Sequence, residues 1–142
     1  VPEDKARIFL MIEQGPGFHE LNSTVSRYLQ KSFVQSCEGY IHARIVEGGG
    51  MDEEAAELYS RLGRLLLRIR RSHMLERAAV AFEKSREIRE RLGTMTTLSG
   101  VMLLRDIGTV QGLQGDVCSA CETYSEARQL LERMGASESA EA

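Results

Sequence analysis

Apolar residues recur at steps of three and four along most of the chain. Leu58, Leu62, Leu65, Leu66 and Ile69 mark one helical face, and Ala78, Ala81, Phe82, Ser85 and Ile88 mark another. No stretch shows the strict alternation of a half-buried strand. Breakers sit between the periodic pieces: the prolines are Pro2 and Pro16, and glycines gather at Gly15, Gly17, Gly48–Gly50, Gly93, Gly112, Gly115 and Gly135. The pattern predicts helices near 3–14, 19–30, 33–47, 54–71, 75–92, 98–113 and 117–134. The segment 136–142 (ASESAEA) has no apolar face and is expected to be a flexible acidic tail.

A longer regularity overlies the helical one. Tyr40, Phe82 and Tyr124, each near the centre of every second predicted helix, are 42 residues apart. Ser36, Ala78 and Ala120 stand four positions before the rings; Ala43, Ser85 and Ala127 stand three after. A tight helix hairpin needs this combination, because small side chains let two axes approach to about 8–10 Å while one ring fills the space between them. The chain is therefore expected to be all-α, one domain over residues 1–135 built from about three antiparallel hairpins, near 18–50, 54–93 and 98–135, with six or seven helices in all.

In the third copy Leu104-x-x-Ile107-Gly108 precedes Gly115-Asp116 and then Ala120-x-x-x-Tyr124-x-x-Ala127. This resembles the tetratricopeptide-repeat signature, with Leu104 in the place of its tryptophan. Gln111 and Glu132 depart from the tyrosine and proline of that pattern. In the second copy, Leu62-x-x-Leu65-Leu66 aligned by the same period puts Leu66 where the packing glycine belongs, and the first copy retains only Ser36, Tyr40 and Ala43. The 42-residue period is longer than the usual 34 and is similar to that of the kinesin light chains. The resemblance implies a right-handed α-solenoid whose first helices line a concave protein-binding groove. Carried over by position, the groove would hold Ser60, Gly63, Arg64, Leu67, Arg70 and Arg71 of the second repeat. The third repeat would add Met102, Arg105, Thr109 and Leu113, and the first Phe18, Leu21, Val25 and Tyr28. Gly108, Ala120, Ala78 and the three rings would be packing residues.

Charge sharpens the picture of the partner. The formal net charge is −3, yet residues 57–91 carry 10 Lys and Arg against 5 Asp and Glu, a local +5 that leaves −8 elsewhere. Arg61, Arg64, Arg68 and Arg71 form a stripe, widened by Arg70, with Glu57 as the nearby acid. Guanidinium groups so spaced suit the carboxylates of an acidic peptide. Net acidity and the lack of interleaved aromatics disfavour nucleic acid. Self-association of incomplete end repeats is the alternative reading.

Catalytic chemistry finds no foothold: nucleophile-elbow, zinc-protease, phosphate-loop and dinucleotide patterns are absent. Cys118-Ser-Ala-Cys121 lacks a second half with metal-ligand spacing, and the odd count of three cysteines implies no disulfide framework. No cofactor or metal is expected. No apolar run nears the ~20 residues of a membrane span. A cytoplasmic or nuclear setting is expected, and the start at Val1 suggests a piece of a longer protein.

Overall fold

The computed structural model describes residues 30–48, 51–69 and 72–141. Among them are five helices and no strand: α1 Gln30–Glu47, α2 Glu53–Ile69, α3 Ser72–Leu92, α4 Leu98–Leu113 and α5 Val117–Glu141. The helices predicted near 3–14 and 19–30 lie outside the described residues, Gln30 apart. The last helix runs on to Glu141, beyond the limit near 134 set by the apolar pattern.

Local chemistry accounts for the helix boundaries. Asp52, Thr97 and Asp116 accept backbone N–H bonds from the residues three positions on, Ala55, Gly100 and Ser119, at 2.9, 3.1 and 3.2 Å. At the far ends, Gly93 and Gly115 take φ of 73° and 90°. That conformation lets the N–H of Thr94 reach the carbonyl of Arg89, and the N–H of Asp116 that of Gln111, both at 2.9 Å. Helices α3 and α4 are thereby terminated, and the chain turns back on itself.

Each helix packs on the next in chain order, most closely α2 on α3 and α4 on α5, and α2 also touches α4. One hydrophobic core runs through all five, with Ile41, Leu62, Leu66, Met74, Phe82, Leu103, Leu104 and Val110 almost wholly buried. Ion pairs tie alternate helices together: Arg77 of α3 to Glu38 of α1 at 3.1 Å, Arg86 of α3 to Glu126 of α5 at 3.3 Å and Arg64 of α2 to Asp106 of α4 at 3.5 Å. Exposed pairs of this kind contribute about 0–1 kcal/mol each, so the apolar seams hold the stack and the pairs align it.

The seams correct the expected register. A Cβ on Gly63 would stand within 2.7 Å of three atoms of the Phe82 ring, and one on Gly108 at 2.7–3.0 Å from the Tyr124 ring. Gly63, and not the position of Leu66, is thus the packing glycine of the α2–α3 hairpin. All seven buried residues of α4 (Gly100, Val101, Leu103, Leu104, Ile107, Gly108 and Val110) have buried counterparts 45 residues earlier, from Ala55 to Leu65. Helices α3 and α5 keep the 42-residue period. Three more residues separate Gly63 from Phe82 than Gly108 from Tyr124, and this extra length shifts the frame of the first helices while leaving each helix intact.

In α1 the buried positions are Cys37 and Ile41; Tyr40 is half-buried against the core, while Ser36 and Ala43 are exposed. The small residues expected beside Tyr40 therefore do not form its seam. Cys37 and Ile41, four positions apart on one face, stand 41 residues before the buried Ala78 and Phe82, so the inner face of α1 is one residue out of the 42-residue frame.

Candidate functional site

The residues expected to line a groove fall into three groups. Arg61 and Arg64 stand on the outer edge of α2, each about one-third exposed. Both reach Oε1 of Glu57, at 3.4 and 3.2 Å, and Arg64 spans to Oδ2 of Asp106 on α4. Arg68 is exposed. Met102, Arg105 and Leu113 are exposed on α4, and the Thr109 hydroxyl donates to the carbonyl of Arg105 and lies 3.0 Å from the hydroxyl of Tyr124.

The second group points inward. Ser60 is 3% exposed and sits 2.8 Å from the Ser85 hydroxyl, which itself donates to the Ala56 carbonyl at 2.8 Å. Ser60 and Gly63 therefore belong to the α2–α3 seam and not to an open groove. Their small size lets α3 approach so closely that both are covered. Leu67 is half-buried and packs on the core. Arg70, Arg71, Tyr28, Phe18, Leu21 and Val25 form the third group, outside the described residues.

Among the residues carried over as packing positions, Ala78 and Phe82 are wholly buried and Ala120 is 5% exposed. Tyr124 is 43% exposed although its ring lies on Gly108.

The arginine edge is an interleaved array of both signs. Burial raises the Asp106 carboxyl above the ordinary carboxylate range, and the Arg64 guanidinium beside it works in the opposite direction. The distances from Arg64 to its acids, 3.2 and 3.5 Å, exceed those of close charge-assisted bonds.

A charge cluster not anticipated from composition lies behind this edge. Arg89, 1% exposed, is held by Glu53 and by Oε2 of Glu57 at 3.3 Å, and its Nε–H has no partner among the described residues. Glu53 and Glu57 read by themselves as acids of a helix first turn. What could have flagged them is spacing: Phe82, Ser85 and Arg89 share one face of α3, so a buried arginine needs acids from α2. A cleft of about 260 Å³ opens here, lined by Glu53, Glu54, Glu57, Leu58, Arg61, Arg89 and Ser99. In the last hairpin the corresponding positions are Leu98, Met102 and Leu131, so an ionic cluster in one hairpin is replaced by an apolar set in the next.

Cys118 and Cys121 are exposed free thiols, whereas Cys37 is buried and its pKa is pushed up to about 12 by burial, with Glu38 adding to the shift. Among the described residues no three His, Cys, Asp or Glu side chains come together in a way that could hold a metal ion, and no helix is long and apolar enough to cross a membrane. Comparison with protein-family models, with curated proteins and with solved structures found no match to this chain.

Proposed function

We propose that the chain is a non-catalytic protein-interaction segment of a tetratricopeptide-like α-solenoid, with an acidic partner peptide lying along the face shared by α2 and α4. The observation that carries this reading is the Arg64–Asp106 pair. It ties α2 to α4 at one point, with Arg61, Arg64 and Arg68 along one edge of α2 and Arg105 exposed on α4, as a groove lined by the first helices of successive hairpins requires. The Gly63–Phe82 and Gly108–Tyr124 contacts also support the solenoid reading, because they give two hairpins the same glycine-on-ring seam. In the corrected register, Tyr59-x-x-Leu62-Gly63 stands over Leu104-x-x-Ile107-Gly108, closer to the family pattern than the uniform 42-residue alignment.

Glu57 and Asp106 temper the electrostatics, since an incoming carboxylate must compete with them for Arg61 and Arg64. The long bonds of Arg64 leave room for that exchange, because a carboxylate in forked geometry binds a guanidinium better. Binding is expected to be modest and to weaken as salt screens it. A short labelled peptide of alternating glutamate and leucine serves as the probe, read by fluorescence anisotropy. Arg64→Glu, Arg68→Glu and Arg71→Glu together should abolish binding while circular dichroism stays helical. Binding that survives the triple reversal, or that ignores salt, rejects the proposal.

A further inference from the structure

We propose that α4 and α5 form a homodimer interface, packing face to face with the same two helices of a second copy of this chain. The argument starts from a comparison of α3 with α5. Leu75, Phe82 and Arg89 on α3 are 9%, 0% and 1% exposed; their counterparts 42 residues on, Val117, Tyr124 and Leu131, are 64%, 43% and 50% exposed. Helix α4 packs against α3, and among the described residues no helix packs on α5 in the same way. The chemistry has changed with the exposure: Arg89 sits among acids, but its counterpart is a leucine.

The same face continues onto α4. The hydroxyls of Thr109 and Tyr124, 3.0 Å apart, join the two helices at mid-length. Leu113 and Val117 flank the turn at one end. At the other, Leu98, Met102 and Leu131 take the positions that Glu53, Glu57 and Arg89 occupy around an ion cluster in the preceding hairpin. Leu98, Met102 and Leu113 are 61%, 45% and 47% exposed, and the exposed Arg105 stands between Met102 and Thr109 on the same stripe. The other exposed large hydrophobics among the described residues, Val46, Met51, Val80 and Leu92, do not recur at helical spacing. Together the six side chains present an area on the order of 600 Å² per copy, the low end of a specific interface and the upper end of the largest patch a monomer usually leaves bare.

The stripe on α5 fits its own copy. Val117 and Leu131 each lie seven residues from Tyr124, so an antiparallel pair with its two-fold axis at Tyr124 sets Val117 of one copy on Leu131 of the other. Arg128 then falls level with the buried Ala120 of the other copy and beside its small, exposed Cys121. The two Arg128 side chains are spaced by eight residues, about 12 Å along the helices, which exceeds the Debye length of about 8 Å in physiological salt. The stripe thus brings apolar ends together without opposing like charges. Each copy adds two helices to a four-helix layer.

The test uses the full chain in sedimentation equilibrium. A concentration-dependent dimer is expected, with Val117→Glu and Leu131→Glu each weakening it roughly ten- to a hundredfold at unchanged helical content. As a second measurement, Tyr124→Cys in a Cys37→Ser, Cys118→Ser, Cys121→Ser background should form a disulfide dimer under mild oxidation, and Met51→Cys in the same background should not. A strict monomer at millimolar concentration, a dimer indifferent to the glutamates, or equal cross-linking at both positions overturns the proposal. Reversal of the α2 arginines should leave the dimer intact, so failure of peptide binding and failure of dimerisation are separately visible.

Discussion

Glycine 63 and glycine 108 have the same role in their hairpins but differ in how much room surrounds the ring they touch. Phe82 is wholly buried, so a methyl group at Gly63 has nowhere to push it; in the single chain, at concentrations below dimerisation, Tyr124 is nearly half exposed and can swing outward. Overpacking a closed seam costs about 1–3 kcal/mol, whereas alanine gains about 1 kcal/mol over glycine in a helix interior. Gly63→Ala is therefore expected to lower the urea midpoint and Gly108→Ala to leave it nearly unchanged or to raise it. An equal loss in both would mean that the exposure of Tyr124 does not relieve the contact. At this scale the positions of Phe82 and Tyr124 were legible in the chain from their spacing, and both rings lie on glycines of the preceding helix, whereas the equally spaced Tyr40 has no such seam among the described residues. The identity of the packing glycine was not legible, because a uniform period conceals a three-residue difference in the length between seam and ring.

Between elements, the most consequential contact is Arg89 with Glu53 and Glu57, which closes the C-terminal end of α3 on the N-terminal end of α2. Glu53 and Glu57 stay open to water when Arg89 is removed, so the loss comes from the space emptied in the seam, typically about 2–5 kcal/mol for a large buried side chain cut to alanine. Arg89→Ala should accordingly destabilise the fold by roughly that amount in chemical denaturation. Arg89→Leu should recover most of the loss, since it fills the space and Glu53 and Glu57 are open enough to water to remain hydrated. If leucine is as damaging as alanine, the arginine is needed for its charge and not for its volume. The helices and their boundaries followed from capping residues and glycines near in sequence. Which acids meet which arginines did not: Glu57 and Asp106 belong to separate elements, and only their packing brings both onto Arg64.

For the molecule as a whole, packing in chain order means that stability is largely a matter of neighbouring helices. Helix α1 meets α2 but neither α4 nor α5, so it should open before the rest is lost. Cys37 reports on this, because burial keeps its thiol protonated and out of reach, while Cys118 and Cys121 are exposed. Native protein treated with an alkylating agent should carry label on Cys118 and Cys121 at once, with Cys37 protected. As urea is added, Cys37 should become labelled at a lower concentration than that which halves the helical dichroism. Coincident transitions would make the molecule a single cooperative unit instead.

The order of helices, their caps and the recurrence of a ring among small residues are properties of the sequence by itself, because each depends on residues three or four positions apart or on one backbone conformation at a turn. The tertiary structure decided three other matters. It set the 45-residue register of the first helices, it paired Arg64 of α2 with Asp106 of α4, and it left Tyr124 open where Phe82 is closed. Each of these rests on contacts between helices, where connection length and the depth of a seam determine which side chains meet, and local periodicity carries no record of either.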